Sequence, residues 1–300
     1  MAGTLLVIFA CLLWGVDTLI RYPLVESGIN PINIVFYEHL LLTLIFSTWL
    51  IPAFKRIGEL NIADIFSFLV IGALGSAVGT VAFTESFQYL NPSLVILLQK
   101  LQPVVAILLA AIILKEQIQK QFIIWAIVCL IGGLMVSSPD IVRFYHLMVN
   151  DFGSVVSDVA TQGYLLVGIS ILCWGSTTVF GKRLTMLGYD TKSIMGGRFF
   201  IGFLTLIPFV KWNRFLILPN GEDYIKIAVM VLISGGLAMW FYYQGLKRIS
   251  AKTAAIAEMF FPFFAIVVNW IFLGKQLTEL QLAGGAILIF GSLVIQIKKY

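Results

Sequence analysis

Ten runs of mostly apolar residues follow one another along the chain, roughly 3–21, 32–51, 65–87, 93–114, 120–137, 163–182, 192–211, 224–246, 253–273 and 279–297. A helix crosses the hydrocarbon core of a bilayer with about 20 such residues. This feature restricts the fold more than any other, because within lipid every backbone N–H and C=O must be bonded inside the protein. The fold class is therefore all-α: a polytopic membrane protein with ten transmembrane helices. Composition agrees, since charged residues make up only 12% of the chain and hydrophobic ones 60%, where a soluble domain carries roughly 25% charged residues. Turn signals at Asn30-Pro31, Asn91-Pro92, Ser137-Ser138-Pro139 and Pro219-Asn220-Gly221 separate runs.

The formal net charge of +5 does not indicate nucleic acid, because the basic residues fall between apolar runs, as loop charges do. With the N-terminus inside, the inner loops hold twelve Lys and Arg and the outer loops six, counting Arg21 among the six. Both termini are thus expected in the cytoplasm, and the location is a cell (inner) membrane, crossed many times. The run Gly3–Ile20 has no basic stretch before it and no clear small-residue cleavage site, so it reads as a retained first span. Cys11, Cys129 and Cys173 lie singly inside apolar runs and read as packing residues. No metal or other cofactor is expected.

A shift of 160 residues superposes Trp14-Gly15 on Trp174-Gly175, Thr18 on Thr178, Leu24 on Leu184, Gly28 on Gly188 and Glu38 on Arg198. A shift of 159 superposes Pro103 on Pro262, Ala106-Ile107 on Ala265-Ile266, Leu114 on Leu273 and Gly132 on Gly291. The matches are collinear over almost the whole chain. They divide it into a first half, 1–137, a linker, 138–162, and a second half, 163–300. Five spans per half is an odd number, so the second half inserts upside down. Inverted repeats are an architecture of secondary transporters. The linker carries Asp140, Arg143, Asp151 and Asp158 among apolar residues. It is expected to include a short surface helix, with a wholly interfacial amphipathic helix as the alternative.

Leu13-Trp14-Gly15 and Cys173-Trp174-Gly175 open the halves. Pro103 and Pro262 sit centrally in the fourth and ninth spans, which end in Leu114-Lys115-Glu116 and Leu273-Gly274-Lys275-Gln276. On these residues the chain resembles the drug/metabolite transporter superfamily, in its ten-helix branch with two tandem EamA domains, over roughly residues 4–137 and 163–297. Two positions depart from the pattern. Glu38 stands where the second helix of a half often carries an Arg, and Lys275 stands where the second half would carry an acid. The resemblance implies the fold and a carrier function with export of substrate, and no particular substrate.

An ionisable side chain inside a span is costly unless it faces a polar cavity or a partner. Counting from the span ends predicts two polar layers. The outer holds Asp17, Glu38, His39, Glu85, Gln99 and Lys100, and the inner holds Arg198, Tyr243, Gln244 and Glu258. Glu38–Lys100 and Arg198–Glu258 are the expected ion pairs, either permanent or opening as gates. Trp14 and Trp174 line the cavity or pack beside it, and Tyr37, Phe83, Tyr242 and Phe260 can add ring faces. Pro103 and Pro262 break the backbone mid-span, for a bending helix or a static kink. Substrate contact is thus assigned to Trp14, Glu38, Glu85, Gln99, Lys100, Trp174, Arg198, Tyr243, Gln244 and Glu258. Gating or coupling falls to Asp17, His39, Pro103 and Pro262. His39 beside Glu38 reads as a hydrogen-bonded partner or a proton carrier.

Neither a phosphate-binding loop nor a catalytic cluster is visible, so the chain reads as no enzyme and as not driven directly by ATP. The expected function is a secondary transporter moving a small organic metabolite, an amino acid or related zwitterion, by alternating access. The alternative is a proton-coupled exporter of organic cations or drugs. Partners are the small-molecule substrate, the bilayer and, as a coupling ion, protons. No nucleic acid is expected, and the chain is a monomer or homodimer.

Overall fold

The computed structural model describes residues 2–55, 61–113, 115, 117–150, 154–155, 157–210, 220–246, 248–249, 257–258 and 260–298. Most of the start of the ninth run, Leu114, Glu116, Asp151, several loop charges and the side chains of Arg143 and Tyr243 lie outside the described residues.

Helices follow the apolar runs: α1 (Ala2–Glu26), α2 (Pro31–Ile45), α3 (Ile62–Ser86), α4 (Pro92–Ile113) and α5 (Lys120–Val136) in the first half. The second half has α6 (Val159–Met186), α7 (Thr191–Leu206), α8 (Gly221–Met230, Val231–Leu237 and Ala238–Leu246), α9 (Phe260–Leu273) and α10 (Glu279–Lys298). Six of them, α1, α3, α4, α6, α8 and α10, are long and apolar enough to cross a bilayer on that measure alone. A short helix, Ser47–Lys55, continues α2. The connection between the halves carries a helix, Ser138–Asn150, turned 72° from α5. Asp140 accepts a bond from the Tyr164 hydroxyl at 2.7 Å, tying this helix to α6.

The repeat is visible in the turns. Gly28 and Gly188 take φ of +86° and +84°, the left-handed position that glycine reaches without Cβ strain. After them Asn30 and Asp190 accept bonds from the N–H of Ile32 and Ser193, capping α2 and α7. Asn61 and Asn220, 159 positions apart, precede α3 and α8.

Contacts show that the halves run in opposite directions. Lys275, after α9, meets Glu26 at the end of α1, and Gly163, in the first turns of α6, packs on Tyr89 and Leu90. At the other end, Gly3 meets Gly245 and Arg248 from the close of α8, and Asp64 of α3 meets Tyr189 after α6. Helices α1 and α6 are therefore antiparallel, as are α3 and α8.

The halves also interlock. Helix α1 packs on α8 and α9, while α6 packs on α3 and α4. Gly15 lies against Ala265, and Gly175 lies against Ala106. Both tryptophans follow the same rule. The Trp14 indole donates to the carbonyl of Ser234 at 3.1 Å, and Trp174 donates to that of Gly75 at 2.9 Å. Each carbonyl lies in a π-helical stretch, Val70–Val78 or Val231–Leu237. A wider turn disturbs the i→i+4 ladder, and such stretches are frequent at functional sites. Helices α5 and α10 form a separate close pair. Gly132 faces Leu288, and Gly291 faces Cys129, which is helix approach through small residues.

Candidate functional site

Between the halves lies a cavity of about 300 Å³. Its ring faces come from Trp14, Phe83, Trp174, Phe199 and Phe261, and its polar wall from Asp17, Thr18, Arg21, Glu38, Thr80, Gln99, Arg198 and Ser234. A second cavity of about 380 Å³ shares Trp174 and Arg198 with it and runs along α6 past Thr177 and Thr178 to Gly181. Both volumes suit a small organic ligand.

Arg21 organises one side of the first cavity. Its Nε and Nη1 reach Asp17 at 2.7 Å and Glu38 at 2.9 Å, and Nη1 also donates to the Thr84 hydroxyl at 3.1 Å. The arginine is only 4% exposed. Buried charges persist when paired and hydrogen-bonded, and the planar guanidinium serves two carboxylates at once. This corrects two expectations. Arg21 is not a loop charge, and Glu38 pairs with it instead of with Lys100. Arg21 sits at the edge of an apolar run, where a sequence cannot distinguish a loop residue from the last inward-facing turn of a helix.

Arg198 also lines this cavity. Its Nε donates to Ser76 Oγ at 3.3 Å, and its guanidinium lies 5.9 Å from the Phe199 ring. Ser76 is 2.8 Å from His39 Nε2, and His39 Nδ1 is 2.8 Å from the Val35 carbonyl. A carbonyl only accepts, so Nδ1 carries the proton, and in the neutral ring Nε2 accepts from Ser76. His39, 2% exposed, thus supports Arg198 from behind. The two-layer arrangement is corrected here as well, because Arg198 faces the same cavity as Asp17, Glu38 and Gln99. Depth along a helix does not say which face of it turns inward.

Gln99 is 8% exposed on the cavity wall, and its Nε2 is buried without a hydrogen-bond partner. A buried unpaired donor costs about 1–3 kcal/mol. It lies in a single 3-10 turn, Gln99–Leu101, just before Pro103, which has no N–H to continue the helix. Pro262 is buried in α9.

The other expected residues lie elsewhere. Lys100 faces the Phe261 ring at 5.4 Å and comes within electrostatic reach of Glu258. Glu258 accepts from the Tyr242 hydroxyl at 2.6 Å instead of pairing with Arg198, and Tyr242 packs on Trp14 at 5.3 Å. Glu85 and Gln244 are half-buried and outside the cavity lining. Tyr37 packs on Tyr224. Phe260 is exposed, and its neighbour Phe261 takes the place expected of it. A step of one residue turns the side chain by about 100° on a helix. Among the described residues, no three His, Cys, Asp or Glu side chains gather as a metal site requires.

An interlocked, inverted bundle around a polar and aromatic cavity defines a membrane carrier for small molecules. The chain belongs to the EamA-like transporter family, whose model matches residues 1–138 and 161–297. It is 29% identical over 305 residues to the riboflavin transporter ImpX of Fusobacterium nucleatum, covering 99% of this chain and 97% of that one. It is 23% identical to the uncharacterized transporter YxxF of Bacillus subtilis, over 90% of this chain and 82% of the relative. Protein PecM of Dickeya dadantii is 26% identical over 77% and 73%. A solved crystal structure shares the fold, with a TM-score of 0.57 at 15% identity over 98% of this chain and 95% of the other.

Proposed function

We propose that this protein carries a small, flat, polar heteroaromatic molecule of net zero charge, in the manner of a flavin, by alternating access. The observation that carries the reading is the Gln99 amide, buried and unpaired on a wall that also carries five aromatic rings. Ring faces stack on a flat ligand, and an amide beside them bonds a heterocycle edge. Charge on the cavity wall balances, with Asp17 and Glu38 against Arg21 and Arg198. The riboflavin-transporting relative supports the same class. An amino-acid zwitterion is the second reading, favoured by Arg198 lining the same cavity as Asp17 and Glu38. The organic-cation reading loses its basis, since Arg21 neutralises the acidic surplus on which it rested.

Residues 1–137 and 163–300 serve as the moving halves, joined by 138–162. Both termini face the cytoplasm, by the excess of basic residues in the inner loops, and export is the family expectation. No catalytic role is assigned to any residue. The test is uptake into proteoliposomes. Saturable riboflavin transport that amino acids do not inhibit supports the proposal. Amino-acid transport without flavin transport selects the second reading, and vesicles loaded inside or outside decide the direction.

A further inference from the structure

Two cavities meet at Trp174 and Arg198, and the second follows α6 toward the end where Gly3, Asp64 and Gly181 lie. The seven residue steps from Trp174 to Gly181 span about 10 Å, and Thr178 on this wall is exposed. The opposite end is built differently. Beyond Arg21, the Tyr22 ring packs on Phe87 at 6.2 Å, and the Tyr22 hydroxyl donates to Glu26 at 3.1 Å. Lys275, from the turn after α9, reaches Glu26 at 3.7 Å and lies 4.9 Å from the Tyr22 ring. The next residue, Gln276, offers its carbonyl to the Asn91 side chain at 2.9 Å, reaching the turn before α4. The α9–α10 turn is thus strapped to both the α1 end and the α3–α4 turn.

We propose that Lys275, Glu26 and Tyr22 form the gate that closes this end of the carrier, with Gln276–Asn91 as its second strap. The Lys275–Glu26 pair and the Asn91–Gln276 bond are at least partly exposed and weak alone, since surface ion pairs contribute little. A gate must release in every cycle, so weak contacts in parallel suit it better than a buried pair. Arg21 with Asp17 and Glu38 is the contrasting case: buried, multiply bonded and fit to be permanent. The positions related to Tyr22 and Lys275 carry Lys182 and Glu116, while the position related to Glu26 is Met186. Tyr22 first and Glu26 after it hold the Lys275 ammonium above the usual lysine range, which keeps it charged.

The proposal rests on the transporter reading, so its test reads access instead of substrate. In a background of Cys11→Ala, Cys129→Ala and Cys173→Ala, a reporter Thr80→Cys lies on the first cavity and Thr178→Cys on the second. A membrane-impermeant maleimide is applied from either side of sealed vesicles. Lys275→Glu is expected to raise labelling of the Thr80→Cys reporter from the gate side severalfold, and adding Glu26→Lys is expected to reverse it. Thr178→Cys is expected to label from the opposite side only. A cleavable methanethiosulfonate linker between Glu26→Cys and Lys275→Cys is expected to keep the Thr80→Cys reporter protected from the gate side until reductant is added. Unchanged labelling in Lys275→Glu, or gate-side labelling that the linker leaves intact, overturns the gate. Failure to transport flavin or amino acid leaves these readouts in force.

Discussion

Trp14 and Trp174, 160 positions apart, hold the two halves together by the same bond made twice, each indole donating to a π-helical carbonyl of the other half, Ser234 or Gly75. Because the pair is reciprocal, a shift of one half against the other strains both bonds at once. It also places a ring of each half on the shared cavity.

Replacing either tryptophan by phenylalanine keeps the ring and removes the N–H. Each of Trp14→Phe and Trp174→Phe is expected to cost about 1 kcal/mol of stability, the net worth of one hydrogen bond. Transport should fall more than protein yield does. Thermal unfolding of purified protein beside vesicle uptake separates the two effects, and a loss confined to yield would reduce both bonds to plain packing.

Arg21 is expected to be the most sensitive charged position. Arg21→Met leaves Asp17 and Glu38 buried without a counter-charge, at about 3–5 kcal/mol. Little monodisperse protein should be recovered in size-exclusion chromatography. Adding Asp17→Asn and Glu38→Gln to Arg21→Met should restore much of it, because three neutral groups need no charge partner. A triple variant no better than Arg21→Met alone would contradict the buried triad.

Gln99 is expected to separate binding from stability. Gln99→Leu removes a donor that has no partner, so the fold should be unharmed or slightly more stable. Affinity for the transported compound should fall about tenfold, the loss expected from one good hydrogen bond. Ligand-induced thermal shift measures both at once. Unchanged affinity would remove Gln99 from the substrate contacts.

At the α5–α10 crossing, a Cβ on Gly132 would stand 2.7 Å from the Leu288 nitrogen and 2.8 Å from the Gly284 carbonyl. Both are backbone atoms, which cannot swing aside. Gly132→Ala should therefore separate the helices and lower the melting temperature by several degrees. Gly168, in α6, has open space around it. Gly168→Ala should be neutral or slightly stabilising, through helix propensity. Equal effects at both positions would show that propensity, not close approach, governs Gly132.

Helical class, the membrane-crossing character and the repeat were legible in the amino acids alone. Each follows from a local quantity: a run of apolar residues, a proline or glycine at a turn, a pair of matched positions. Part of the cavity was legible too, since Trp14, Asp17, Glu38, Gln99, Trp174 and Arg198 all line it. Two further carboxylates, Asp64 and Asp223, are buried and related by the later shift; both lie near the starts of their helices and not in mid-span.

Partnership was decided only by the tertiary structure. Arg21 took Glu38, Tyr242 took Glu258, Phe261 replaced Phe260, and Arg198 joined the acids expected in another layer. In water, an apolar stripe on a helix marks the face that packs inward. In a bilayer, lipid-facing and protein-facing surfaces are both apolar, so the stripe disappears and the inward face is left unmarked. Sequence determines that these helices cross the membrane and that one half inverts the other. Rotation of each helix about its own axis, which chooses the partners and shapes the site, is set by packing against its neighbours.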